Sequence, residues 1–146
     1  MGLPLFLIPI AVGLTAQALK TLFNPAELKI MLKSDGHMPR YGGMPSAHTA
    51  FAFSLATVVL LAEGVHSTAF AITAVVVIFI LDDALRMRIF LGRHGLALKQ
   101  LITKQPEANW GEFPHLEARL GHKPLEVLAG AIFGILLSWL LYFWVR

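Results

Sequence analysis

The stretch Pro124–Val145, PLEVLAGAIFGILLSWLLYFWV, decides the fold. Glu126 is its only charged residue and stands near its start. At 1.5 Å per residue, such a segment matches the roughly 30 Å hydrocarbon core of a bilayer. Gly130, Gly134 and Ser138 recur at every fourth position and form one stripe of small residues. A stripe of this kind lets another helix approach closely, and the Gly130/Gly134 face is accordingly a candidate surface for homo-oligomerisation.

The chain around this stretch has the same character. It is 56% hydrophobic and 14% charged, with mean hydropathy +0.67, as expected of a polytopic membrane protein. Three further apolar segments precede it, at Leu3–Phe23, Met44–Ala62 and Thr68–Met87. No Lys or Arg comes before Lys20, so the first reads as a retained span and not a secretory signal. Glu63-Gly64-Val65-His66-Ser67 is a tight connection, which makes the second and third spans antiparallel neighbours. The expected fold is all-α: about four transmembrane helices in one membrane-embedded domain over residues 1–146. A polar loop at 24–43 and a partly helical cytoplasmic loop at 92–123 join them. Within the latter, Leu96, Ala97, Leu101 and Ile102 set against Lys99 and Lys104 suggest a short interfacial helix.

Charge and cysteine content exclude several function classes. The chain has no Cys, so disulfides, thiol catalysis and thiolate metal sites are absent. The net charge of +3 and pI near 9.5 come without a nucleotide loop, zinc-knuckle spacing or aromatic–basic array, so no nucleic-acid partner is expected. With four spans, every Lys and Arg except Arg146 falls on one face or at helix ends reaching it. By the positive-inside rule that face is cytoplasmic and both termini lie outside. Lys20, Pro45, Arg88 and Pro124 then meet on the cytoplasmic side, and His48 and His122 can share a site there. Two helix starts in one place favour an anion such as phosphate.

Two short runs carry the chemistry. Gly42-Gly43-Met44-Pro45-Ser46-Ala47-His48-Thr49 is a glycine turn entering a helix, with Pro45 suited to its first turn and a histidine just inside. Gly121-His122-Lys123-Pro124-Leu125-Glu126 places a histidine before a helix and a carboxylate one turn later. A neutral imidazole attacks phosphorus when a carboxylate fixes its other nitrogen, and Glu126 can do this for His122. The same Glu126 can instead cap the helix start, and His48 can simply bond a neighbouring helix. Lys20, Lys33, Arg40 and Arg88 can neutralise phosphate oxygens or serve only as topology determinants. Asp82 and Asp83 are expected to pair with Arg86 and Arg88, since no oxygen-rich metal cage is visible. His37, His94 and His115 show no ligand spacing.

The first run resembles the Pro-Ser-x-His motif of the phosphatidic acid phosphatase type 2 superfamily. It is most similar to the divergent branch described as acid phosphatase/vanadium-dependent haloperoxidase-related. Ala16-Gln17-Ala18-Leu19-Lys20, Asp83-Ala84 with Arg88 and Gly92, and Leu120 to Val127 extend the resemblance over nearly the whole chain. It implies a metal-independent phosphatase without cofactor, acting on a lipid phosphate through a phosphohistidine. His122 would be the nucleophile, Glu126 its orienting carboxylate and His48 the acid for the leaving oxygen. Ser46, Lys20, Lys33, Arg40 and Arg88 would hold the phosphoryl group. Lys33 and Arg40 stand at the separation of the superfamily's first-motif pair, with Tyr41 where that motif has Pro. The Ser-Arg of the third motif is replaced by Leu116 and Glu117, and Glu126 replaces Asp. Cytoplasmic placement favours phosphatidylglycerophosphate or phosphatidic acid over a polyprenyl diphosphate. The rivals are a non-catalytic lipid- or anion-binding membrane protein and a small transporter or channel subunit.

Overall fold

A computed structural model describes residues 4–23, 43–104 and 124–145, and every regular element among them is helical. The helices are α1 (Leu7–Phe23), α2 (Ala47–Glu63), α3 (Thr68–Asp82), α4 (Arg88–Thr103) and α5 (Pro124–Val145), with a π-helical turn at Asp83–Met87 between α3 and α4. Helix α2 lies at the centre and packs on α1, α3 and α5, while α1 also touches α5.

The helix directions follow from which residues meet. Gly13 lies against Phe51 and Lys20 against Gly43, so α1 and α2 are antiparallel. Gly64, at φ 84°, closes α2 by giving its N–H to the Leu60 carbonyl at 3.0 Å. Ser67 then caps α3, its hydroxyl oxygen accepting from the Phe70 N–H at 3.1 Å. This short turn makes α3 antiparallel to α2, as its sequence requires.

Helix α5 behaves differently and runs parallel to α2. Gly130 meets Ser46, Gly134 meets Ala50, Ser138 pairs with Ser54, and the Tyr142 hydroxyl donates to the Leu61 carbonyl at 3.0 Å. The first three contacts advance by about one turn along both helices and the long Tyr142 side chain reaches on to Leu61, so the two rows run side by side. A Cβ on Gly130 would lie 2.5 Å from the Ser46 carbonyl oxygen, and one on Gly134 would collide with the backbone of Ala50. The Gly130/Gly134 face, expected as a surface for a second copy, packs here against α2 within the chain: the sequence shows a close approach but does not name the helix that makes it.

Burial is inverted relative to a protein folded in water. Ser46, Thr49, Ser54 and Ser138 are fully buried, whereas Phe79, Ile78, Leu136 and Trp144 are among many large apolar side chains left exposed. Buried hydroxyls bond one another or nearby carbonyls: Ser46 with Thr49 at 2.9 Å, Ser138 with the Gly134 carbonyl at 2.6 Å, Thr73 with the Phe70 carbonyl at 2.9 Å. Among the described residues no buried side-chain polar atom lacks a partner. An apolar exterior around a small, polar interior is what a hydrocarbon solvent selects.

Several boundaries differ from the sequence reading. Helices α1 (from Leu7, not Leu3) and α2 have 17 residues each, so among the described residues the helices long and apolar enough to cross a membrane are Thr68–Thr103 and Pro124–Val145. Helix α2 also begins at Ala47 with Ser46 as its boundary residue, so Pro45 lies outside the first turn. Beyond Met87 no loop opens at Gly92: α4 continues the α3 helix through the π turn to Thr103. Gly92 lies inside this continuous helix and is its buried position. The expected ion pairs are present, Arg86–Asp82 at 3.1 Å and Arg88–Asp83 at 2.7 Å.

Gly134→Val tests the α2–α5 contact. Forcing a branched side chain against Ala50 should cost about 1–3 kcal/mol, read as a lower thermal midpoint in detergent. Gly13→Ala meets only the Phe51 side chain, at 3.3 Å, and should change the midpoint much less. Equal midpoints for Gly134→Val and wild type would disprove the close approach.

Candidate functional site

The two motif-bearing runs meet where α2 and α5 begin. The Ser46 N–H donates to the Glu126 carbonyl at 3.1 Å. Ser46 is in extended conformation (φ −68°, ψ 111°) and does not cap α2 with its side chain. Its hydroxyl instead pairs with that of Thr49, and both residues are fully buried. Ser46 thus works as a joint: its amide holds α5, its carbonyl accepts from Ala50 at 2.9 Å to start α2, and its Cβ rests on Gly130.

Glycine is required just ahead of this joint. Gly43 has φ 101°, a left-handed conformation that L side chains rarely adopt. A Cβ there would lie 2.9 Å from Lys20 Cε, so the bare backbone covers the lysine stem. Lys20 is 8% exposed, and its ammonium is not carried out along the helix into open surroundings as a snorkelling lysine would be. It also sits in the last turn of α1, where a cation complements the helix dipole. Two parallel helix starts and one helix end with a buried lysine therefore share this end of the bundle, an arrangement suited to an anion.

The remaining candidates are placed less tightly. His48 is exposed in the first turn of α2. A 100° step per residue puts it about 200° round the helix from Ser46, off the row facing α5. Glu126 is half-buried in the first turn of α5. Arg88 is held by Asp83 across the π turn: a five-residue period brings positions 83 and 88 onto one face, and Arg88 Nε donates to Asp83 Oδ2 at 2.7 Å. Running back from Ser67, α3 reaches the level of the α2 start near Ala84, itself buried, so Arg88 belongs to the same end of the bundle. Lys20, His48, Arg88 and Glu126 each have an interaction partner. His122, Lys33 and Arg40 lie outside the described residues.

Sequence reasoning overlooked Thr49 and the pairing of two small-residue rows. The signal for both was present: Thr49 is one turn from Ser46, and Ser46, Ala50 and Ser54 repeat the spacing of Gly130, Gly134 and Ser138. Among the described residues no three His, Asp or Glu are grouped to hold a metal ion.

Comparison with known proteins gives the family. The chain is 34% identical over 118 residues to the uncharacterized membrane protein YuiD of Bacillus subtilis (strain 168), an alignment covering 71% of this chain and 73% of that protein. No solved structure matches it. Residues 3–137 match the model of the Divergent PAP2 family, which takes in both motif runs, the buried lysine and the Asp83–Arg88 turn, and the chain belongs to that family.

Proposed function

We propose that this protein is a multi-pass membrane phosphatase that hydrolyses a phosphomonoester lipid through a phosphohistidine. The observation that carries the reading is the Ser46–Glu126 hydrogen bond, which ties the Pro-Ser-Ala-His run to the helix following His122. Family membership supports a phosphatase relationship. Four spans are part of the proposal, with α1 and α2 crossing in tilted or locally thinned bilayer despite their 17 residues.

The chemistry divides among the named residues. His122 attacks phosphorus through one ring nitrogen while the Glu126 carboxylate holds the other and stabilises the cation that forms. A P–N bond forms, the P–O bond to the lipid breaks, and protonated His48 gives its proton to the departing lipid oxygen. Water then attacks phosphorus, His48 takes its proton, and the P–N bond breaks to release phosphate. Lys20, Lys33, Arg40 and Arg88 face the non-bridging oxygens, with the α2 and α5 starts adding their dipole ends. Ser46 contributes its hydroxyl by exchanging Thr49 for a phosphoryl oxygen. The distribution of Lys and Arg supports a cytoplasmic site, and hence phosphatidylglycerophosphate or phosphatidic acid as substrate.

Purified protein should release phosphate from one or more of these lipids with chelator present. His122→Ala should abolish release, and His48→Ala should slow it about 10²–10⁴-fold, the usual contribution of a general acid. Wild-type rates in His122→Ala would rule out the mechanism. Headgroup binding without turnover in any lipid would instead favour the non-catalytic anion-binding reading that Leu116 and Glu117 motivate.

The topology has its own test. A reporter fused within residues 105–120 should be active only in its cytoplasmic form. Activity of the exported form would place the site on the opposite face and turn the substrate assignment toward lipids exposed there.

A further inference from the structure

Among the described residues, the helix following the π turn packs chiefly on that turn, which does not explain its composition. Thr68–Met87 already spans about 30 Å at 1.5 Å per residue, the thickness of the hydrocarbon core. Helix α4 therefore starts at the membrane surface, yet only Gly92 of it is buried. Phe90, Leu91, Leu98 and Leu101 are each about half exposed or more. On a helical projection these four fall within about 100° of arc. Arg93 and Lys104 flank one edge of that arc and Lys99 the other. Arg93 lies over the Phe90 ring, 5.8 Å from its centroid, so its stem follows the apolar sector while its charge stays at the edge. No Asp or Glu occurs between Arg88 and Lys104.

We infer that α4 is a surface-lying helix that seats its apolar sector at the headgroup–acyl boundary and takes up anionic lipid headgroups along its basic edges. Charge complementarity selects this occupant: a protein partner would need acidic groups on both rims of a narrow apolar strip, whereas an anionic leaflet offers them everywhere. The π turn at Asp83–Met87 supplies the place where the helix can change direction from spanning to surface. The inference concerns membrane seating and does not rest on the phosphatase reading.

Because the chain has no Cys, a single fluorophore can be attached at Leu98→Cys or at Gln100→Cys, about 160° apart on the helix. Full-length protein is placed in nanodiscs of phosphatidylcholine alone or mixed with phosphatidylglycerol. The Leu98 probe should be quenched by lipid-borne bromine and the Gln100 probe by aqueous acrylamide. Phosphatidylglycerol should strengthen lipid quenching at Leu98, and the triple variant Arg93→Gln, Lys99→Gln, Lys104→Gln should lose that gain. Three results would overturn the inference: acrylamide reaching both probes equally, which leaves α4 in water; shielding of Leu98 from both quenchers, which means protein covers it; or lipid quenching unaffected by phosphatidylglycerol.

Discussion

The close parallel packing of α5 on α2 is the constraint on which the rest depends. Gly130 and Gly134 bring the α5 backbone against Ser46 and Ala50, at distances that leave no room for a Cβ. Without that approach the Ser46 amide could not reach the Glu126 carbonyl, and the two motif runs would sit at the ends of separate helices. In lipid there is little hydrophobic drive to press apolar helices together, so the gain comes from backbone proximity and from hydroxyls bonded across the seam. The Ser54–Ser138 pair and the Tyr142–Leu61 bond continue the same seam away from the site. The junction of the two motif runs at one end is thus stabilised by contacts along the full length of two helices.

Around this seam the chain distributes its polarity by solvent. Small and hydroxyl-bearing side chains face inward, where every buried polar atom described has a partner, and large apolar ones face outward. Lys20 is the exception: its stem lies sealed beneath Gly43 at the end of α1, where a cation complements the helix dipole.

Much of this was legible in the residues, for identifiable reasons. Periodicity-free apolar runs announce helices that face lipid, and Glu63–Ser67 is too short for anything but an antiparallel turn. Gly42-Gly43 announced a turn, and the positive φ at Gly43 is what the glycine was for. The continuation of α3 into α4 was not legible, because a π turn has no composition of its own and Gly92 looks like a breaker until its burial is seen. Nor could the Gly130–Gly134 stripe declare its partner: small residues encode how near a neighbour comes, not which neighbour. The histidines divide along the same line. Their motifs are plain in the sequence, whereas the bearing of His48, away from the α5 row, depends on where helix α2 begins.

The parallel alignment of α2 with α5 has a consequence for biogenesis. The antiparallel α1–α2 and α2–α3 contacts can form as soon as each hairpin leaves the ribosome, since their partners are neighbours in the chain. The α2–α5 seam cannot, because it joins groups such as Ser54 and Ser138 that lie 84 residues apart, and α5 is made after the other described helices. Until then Ser46, Ala50 and Ser54 present an open groove to the bilayer or to the insertion machinery. The end of the bundle that holds both motif runs is therefore completed only after Pro124–Val145 has been made, and a protein truncated before Pro124 would lack the Ser46–Glu126 junction.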